Sequence, residues 1–209
     1  MGKAVLSNEE AEAREKARRI VIVCGYGCNL DSPLMPYLNR VADFCREKRP
    51  DMVIFCGGAT QRRTFPGRTE AGVMYGYLYD MLHQVAAPPD WHPAWFTEDE
   101  SYTTFENIRD AAAVTKMLHA ADEASSFRGR GEKITVFCEA TRALKVDILV
   151  RHFLPRKEKE PRVHLEAVSW ELGSPLKELV GTIQTWLSIC VPFLNMLLRW
   201  QRIRKSKTR

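Results

Sequence analysis

The chain has 209 residues, of which 45% are hydrophobic and 27% are charged, an ordinary composition for one sizeable globular α/β domain. The formal net charge is +5, but six basic residues lie between positions 199 and 209, so residues 1 to 198 carry a net charge of −1. This distribution argues against a nucleic-acid groove spread over the domain. It confines attraction to an anionic membrane or an acidic partner to the basic C-terminal tail.

The cysteines and the chain ends indicate the class of protein. None of the six cysteines forms a Cys-x-x-Cys pair, which predicts reduced thiols, an intracellular, cytoplasmic protein and no zinc site. Residues 1 to 19 are too charged for a signal peptide and are predicted to form a lead-in helix. Residues 187 to 198 are nearly apolar but too short to span a bilayer, and they are predicted to be a buried or interfacial helix pair. The tryptophans are expected to be packing anchors, with Trp200 the one best suited to an interface.

The first strand is predicted at residues 20 to 24, a continuous apolar run typical of a strand that is buried on both faces. It is followed by Gly25 and Gly27, which allow the backbone to approach a ligand closely. Leu30 stands where the third glycine of the dinucleotide-binding fingerprint would fall. A classical NAD site is therefore not expected.

A helix with one apolar stripe is predicted at residues 34 to 48, and a second buried strand is predicted at residues 52 to 56. Gly57 and Gly58 close this strand. The next loop carries three arginines before a helix opens at Glu70, and a helix N-terminus favours anions. A solvated loop explains the arginines about as well as an anion site does.

The stretch from residue 95 to 107 combines carboxylates, hydroxyls and an amide between a short strand and a helix start. Thr103 is the predicted N-cap, and Glu106 stands three residues later, as in a capping box. If the sheet is parallel, this loop lies at its carboxyl edge, where open α/β folds bind ligands. Helix capping and ligand binding are both compatible with these residues.

The remaining elements continue the alternation of strands and helices. A predicted helix at 104 to 119 is followed by a flexible loop at 121 to 132 and a strand at 134 to 138. A polar loop at 139 to 145 then leads into a helix that ends near 153, and a strand follows at 163 to 168. The last predicted helix starts at Ser174 and is broken at Pro192. The pattern predicts a doubly wound, mostly parallel five-stranded sheet of the Rossmann-like α/β class over residues 20 to 173. Residues 174 to 209 are predicted to form C-terminal helices and a basic tail.

Several of these motifs resemble the YdcF, SanA and ElyC-like family of Rossmann-like domains, over roughly residues 20 to 170. The family has glycines after the first two strands and a Ser/Thr-Glu-Ala helix start, which correspond to Gly25, Gly27, Gly57, Gly58, Thr69, Glu70 and Ala71. The family's most specific signature, Glu-x-x-Ser-x-x-Thr-x-Glu-Asn, is matched in full by Glu98, Ser101, Thr104, Glu106 and Asn107.

The chain departs from the family pattern after the fourth strand. Where the family has Thr-Ser-x-x-His-x-x-Arg, this chain has Cys138, Glu139, Arg142 and Lys145. A histidine can shuttle protons near neutral pH, whereas a guanidinium stays protonated and clamps an anion or a carboxylate. A family mechanism that needs this histidine as a base therefore does not carry over directly.

The resemblance implies a site for a small polar ligand at the carboxyl edge of the sheet. Its expected residues are Gly25, Gly27, Gly57, Gly58, Glu70, Glu98, Ser101, Thr104, Glu106, Asn107, Arg142 and Lys145. One bacterial family member is described as binding S-adenosylmethionine, so a nucleotide-like or zwitterionic ligand of that kind is expected, without a metal.

If the protein is an enzyme, the catalytic candidates are Glu70, Glu98 and Glu106. The charge of Glu106 is expected either to bind a cationic ligand group or to pair with Arg142. Two alternatives stay open. The first is a non-catalytic scaffold or a membrane-surface-associated protein with a role in envelope or lipid-linked processes. The second, ranked last, is metal-assisted hydrolysis by the clustered acids.

Overall fold

Five parallel strands form a single sheet in the computed structural model, which describes residues 17–30, 34–84, 91–124, 132–154, 163–168 and 175–208. The strands are β1 (Arg18–Cys24), β2 (Met52–Cys56), β3 (Ala94–Glu98), β4 (Glu132–Glu139) and β5 (Val163–Val168). The helices are α1 (Leu34–Lys48), α2 (Glu70–Gln84), α3 (Thr104–Ala124), α4 (Ala143–Phe153), α5 (Pro175–Cys190) and α6 (Pro192–Thr208). The predicted α/β class with a doubly wound parallel sheet and C-terminal helices is confirmed.

Helices cover both faces of the sheet, and each face has its own hydrophobic core. Alternate residues of the central strands point to opposite faces, because successive side chains of a strand do so. Ile22 and Ile54 pack with α3 and α4, whereas Val23 and Phe55 pack with α1 and α2. Burial on both faces is the physical reason why β1 and β2 are continuous apolar runs.

The strand order is β3-β2-β1-β4-β5. Strands β2 and β3 are added on one side of β1 and strands β4 and β5 on the other, so the strand order reverses between β1 and β4. Beyond the carboxyl ends of these two strands the loops run apart, which is where open α/β sheets place their ligands. The buried hydroxyl oxygen of Tyr37 lies 3.1 Å from the carbonyl oxygen of Cys24 and 2.9 Å from that of Phe137. Tyr37 therefore joins β1 and β4 at the point where their loops separate.

Several predicted boundaries are wrong. β4 spans Glu132–Glu139 rather than residues 134 to 138. β1 begins at Arg18, so the last two residues assigned to the lead-in helix belong to a strand, while residues 1 to 16 lie outside the described part of the chain. Helix α3 continues to Ala124, into the predicted loop, because residues 120 to 124 are strong helix formers apart from Asp122. The glycine-rich remainder of that loop and the predicted N-cap Ser174 also lie outside the described residues.

The C-terminal helices are not fully buried, so of the two predicted alternatives, a buried or an interfacial helix pair, the first is wrong. Trp186 is 57% exposed and is not a core anchor, while Trp200, predicted as the tryptophan best suited to an interface, is 56% exposed. The stretch from 187 to 198 has exposed positions, such as Met196, and buried ones, such as Ser188 and Asn195. None of the described helices is both long and apolar enough to cross a membrane.

Candidate functional site

The loops after β1, β2, β3 and β4 all leave the carboxyl edge of the sheet, so the predicted site residues lie on the same side of the molecule. Two backbone hydrogen bonds join the loops after β2 and β3. The amide of Gly57 donates to the carbonyl of Glu98 at 2.8 Å, and the amide of Gly58 donates to the carbonyl of Ser101 at 2.7 Å. These bonds hold the loops in a defined arrangement.

Glu70 lies at the centre of this edge. It is the first residue of α2, it is only 8% exposed, and its carboxylate accepts hydrogen bonds from the hydroxyl of Thr60 and the backbone amide of Gly27. Burial raises the pKa of Glu70, and the hydrogen bond from Thr60 and the positive charges of Arg142 and Arg202 partly oppose this effect. A buried carboxyl with a raised pKa beside fixed positive charges is a typical feature of a functional site.

The glycines of the first two loops make room for Glu70. A Cβ atom on Gly25 would lie 2.3 Å from Oε2 of Glu70 and 2.5 Å from the carbonyl oxygen of Cys56. A Cβ atom on Gly57, whose φ is +143°, would lie 2.8 Å from the Cβ of Glu70. Gly27 has φ +98°, a conformation that favours glycine. At Gly25 a side chain of the protein itself thus makes the close approach that the sequence suggested for a ligand, and the same side chain, Glu70, also fills the space beside Gly57.

Positive charge gathers on the same edge, on residues that stack against aromatic rings. The guanidinium of Arg142 lies 4.1 Å from the ring centroid of Tyr26, which follows β1. Arg142 belongs to the 3-10 turn Ala140–Arg142 between β4 and α4. Lys145 lies one helical turn further along and reaches α5, since a Cβ atom on Gly181 would lie 3.5 Å from its ammonium. Planar stacking leaves the edge of a guanidinium able to donate hydrogen bonds to an anion.

Glu98 closes its own loop. Its Oε1 accepts from the backbone amides of Glu100 at 3.0 Å and Ser101 at 3.1 Å, and its Oε2 accepts from the Ser101 hydroxyl. Burial raises the pKa of Glu98, and the nearby Asp110 raises it further. The two Glu98 oxygens are thus engaged by the loop that follows β3. The described part of the chain contains no group of three or more metal-ligating acids, histidines or cysteines.

Glu106 completes the predicted capping box of α3. Its Oε2 accepts from the amides of Tyr102 at 2.7 Å and Thr103 at 3.1 Å, while its own amide donates to the Thr103 hydroxyl at 3.1 Å. Its Oε1 is buried and forms an ion pair at 3.4 Å with Nε of Arg199, although the geometry is not that of a hydrogen bond. The expected pairing with Arg142 is therefore wrong, because α6 supplies the cation instead.

Helix α6 lies over the same loops, which the sequence did not reveal. The hydroxyl of Thr103 lies 3.4 Å from Oδ1 of the buried Asn195, and the guanidinium of Arg199 lies 5.9 Å from the ring centroid of Tyr102. Arg202 lies one turn further along α6, and its positive charge partly opposes the rise in the pKa of Glu70. The i, i+4, i+7 spacing of these three polar residues, which places them on one face of α6, is a signal that could have identified the contact.

The predicted residues therefore form three neighbouring groups. Glu70 lies with the glycines and Arg142, Glu98 lies with Ser101, and Glu106 lies with the N-terminal turn of α3. Thr104 is the first residue of that helix, and Asn107 in its first turn is only 6% exposed. Residues that the sequence did not single out complete these groups, namely Tyr26, Thr60, Tyr102, Asp110, Asn195, Arg199 and Arg202.

The raised pKa of Glu70 predicts a pH dependence of stability. Protonated Glu70 contributes stability that is fully present below its ordinary pKa of 4.5 and is lost as the pH rises through the raised pKa of the folded state. We expect the free energy of unfolding of the parent, relative to Glu70→Gln, to fall as the pH rises above about 4.5 and then to level off. Urea denaturation of both proteins across this range measures the difference, and two parallel pH profiles would contradict the prediction.

Comparison with known proteins found no matching family model, curated protein or solved structure.

Proposed function

We propose that the carboxyl edge of the sheet binds a small polar ligand that carries an anionic group together with an amine or hydroxyl groups. Nucleotide-like and zwitterionic molecules such as S-adenosylmethionine belong to this class. The observation that carries the proposal is a buried carboxyl, Glu70, within electrostatic range of the guanidinium of Arg142, which lies over the ring of Tyr26 at the strand-order reversal. A carboxylate suits an amine or a ribose hydroxyl, and a guanidinium suits a carboxylate or a phosphate.

The charge of the surrounding side chains supports an anionic ligand end. Arg62 and Arg199 both lie against the ring of Tyr102, with their guanidinium carbons 5.7 Å and 5.9 Å from its centroid. Arg199 is paired with Glu106. Arg62 and Arg142 therefore add two guanidinium groups with positive charge to the loops at this edge, in a domain whose first 198 residues carry a net charge of −1. Such local concentration of positive charge attracts anions more effectively than the net charge of the domain suggests.

The resemblance to the YdcF-like family supports the same site, because its helix-start motif supplies Glu70 and its most specific signature supplies Glu98. If the site is catalytic, Glu70 is the better general acid or base. Its raised pKa brings it nearer to neutrality, and its carboxylate faces the loops of three strands. Glu106 is the weakest of the three candidates, since its Oε2 caps a helix and its Oε1 faces Arg199.

A non-catalytic scaffold is the second candidate function. It is favoured by one observation: the polar residues of the Glu98 and Glu106 groups satisfy one another within the protein. In that case the edge would serve to hold the loops and α6 together. The envelope or lipid-linked role that the resemblance implies would then reside in a surface of the protein.

A ligand screen distinguishes the two functions. We expect S-adenosylmethionine, adenosine monophosphate or a sugar phosphate to raise the melting temperature of the full chain, with and without Mg²⁺, because a ligand of the folded state stabilises it by mass action. For the best probe, Arg142→Ala should weaken the affinity about tenfold to a hundredfold, equivalent to roughly 1–3 kcal/mol. Isothermal titration calorimetry measures this change.

Arg151→Ala is the matched control, because Arg151 is exposed on the following helix and pairs only locally, with Asp147 at 2.5 Å. It should bind the probe as the parent does. Equal affinities of the Arg142 and Arg151 variants, or a screen in which no probe raises the melting temperature, would overturn the binding function and favour the scaffold.

A further inference from the structure

Helices α5 and α6 present a large apolar surface to the outside of the molecule. Ten of the fifteen exposed large hydrophobic side chains of the described residues belong to these helices or to the residue that joins them. We call this set the outer face, and it consists of Leu179, Val180, Ile183, Trp186, Leu187, Val191, Phe193, Met196, Leu197 and Trp200. Monomeric proteins in water rarely expose so many large apolar side chains on one pair of neighbouring helices.

Small polar residues occupy much of the inner side of the same two helices, beside the core contact of Ile189. Thr185, Ser188, Asn195 and Ser206 are all at most 7% exposed. The hydroxyls of Thr185 and Ser188 donate to carbonyls of their own helix, at 2.9 Å and 2.8 Å. These helices place small, hydroxyl-bearing residues inside and apolar residues outside. A helix pair on a water-exposed surface has the opposite arrangement, whereas helices that contact lipid have this one.

The charged residues that follow the first turn of α5 are all basic. The chain has no acidic residue after Glu178, and six basic residues occupy positions 199 to 209. On the outer face the guanidinium of Arg204 lies 4.6 Å from the ring centroid of Trp200. Tryptophan beside arginine is an arrangement suited to the headgroup region of a bilayer, where the ring is half in the apolar layer and the cation meets anionic headgroups.

From these three observations we infer that the outer face of α5 and α6 docks on an anionic membrane surface. The helices have 16 and 17 residues, so each is about 25 Å long, and they lie in the interface with their apolar side embedded. A second copy of this chain is the poorer occupant, because pairing two outer faces would bring two sets of basic residues together, with Glu178 as the one acidic residue in the sequence of each helix pair. The surface is separate from the proposed ligand site, and its test does not depend on the ligand.

Two methionines allow a matched test. Met196 on the outer face is 65% exposed, and Met117 on α3 is 67% exposed. The same change, methionine to glutamate, therefore removes a comparable exposed apolar side chain and adds the same charge at both places. Since both positions are exposed, both variants should keep the parent's melting temperature. Circular dichroism checks this before the vesicle experiment.

The full chain and both variants are sedimented with vesicles of phosphatidylcholine containing 30% phosphatidylserine, at low and at high salt. We expect the parent to bind, with a partition coefficient that falls severalfold at high salt, because the basic residues contribute through charge. Met196→Glu should lower the partition coefficient at least tenfold, and Met117→Glu should change it less than twofold.

Equal partition coefficients for the two variants, or no binding by the parent, would overturn the inference. Analytical ultracentrifugation gives the competing result. If the parent is a dimer that does not bind vesicles and Met196→Glu makes it a monomer, the outer face is an interface between two copies.

Discussion

Glu106→Ala is expected to lower the free energy of unfolding by about 3 kcal/mol, one of the two largest effects that we predict. The change leaves the amides of Tyr102 and Thr103 without their acceptor at a buried helix start. A lost cap costs about 1 kcal/mol and a buried unsatisfied donor about 1–3 kcal/mol. It also removes the anion that faces Arg199 on α6. Urea denaturation measures the loss.

Glu106→Gln and Glu100→Ala are the controls. Glutamine keeps one oxygen that can accept from both amides, so its cost should be about 1 kcal/mol and should come mainly from the missing charge opposite Arg199. Glu100 is exposed on the same loop and should change stability by less than about 0.5 kcal/mol. If Glu106→Ala is as stable as the parent, the capping box does not hold the start of α3, and Glu106 is free to serve a ligand instead.

Gly57→Ala should lower the free energy of unfolding by about 2–4 kcal/mol, for two independent reasons. The new Cβ would lie 2.8 Å from the Cβ of Glu70 and 3.2 Å from the Cα of Gly25, where the loop atoms have little room to move. In addition, φ is +143° at Gly57, a conformation that residues with a side chain rarely adopt. Thermal or urea denaturation gives the change in stability.

Gly76→Ala is the matched control, because Gly76 lies inside α2 and a Cβ atom there would meet nothing within 4 Å. Alanine has the higher helix propensity, so this variant should be more stable than the parent by about 0.5–1 kcal/mol. The two glycine variants should therefore shift the unfolding midpoint in opposite directions. A Gly57→Ala variant as stable as the parent would show that neither the space beside Glu70 nor the positive φ requires glycine at position 57.

Local patterns in the sequence were enough to predict the elements and their order. β2, α1 and β5 lie where their apolar runs and stripe predict them, because burial on two faces or on one face imposes a distinct spacing of apolar residues. The capping box of Thr103 and Glu106 was equally readable, since its partners are three residues apart. The parallel sheet then followed from the alternation of strands with helices, and with it the gathering of the strand-end loops at one edge.

The strands, most of the helices and the edge where the candidate residues meet could thus be predicted from local sequence patterns. The contacts that those residues make could be read from the tertiary structure alone. Glu70 fills the space beside Gly25 and Gly57, and Glu106 meets Arg199 rather than Arg142. Thr103 and Asn195 are in contact although they are 92 positions apart in the sequence. A contact between such distant residues cannot be predicted from local residue spacing. The same limit applies to α5 and α6, because helical periodicity identifies an apolar stripe but does not say whether that stripe turns toward the core or outward.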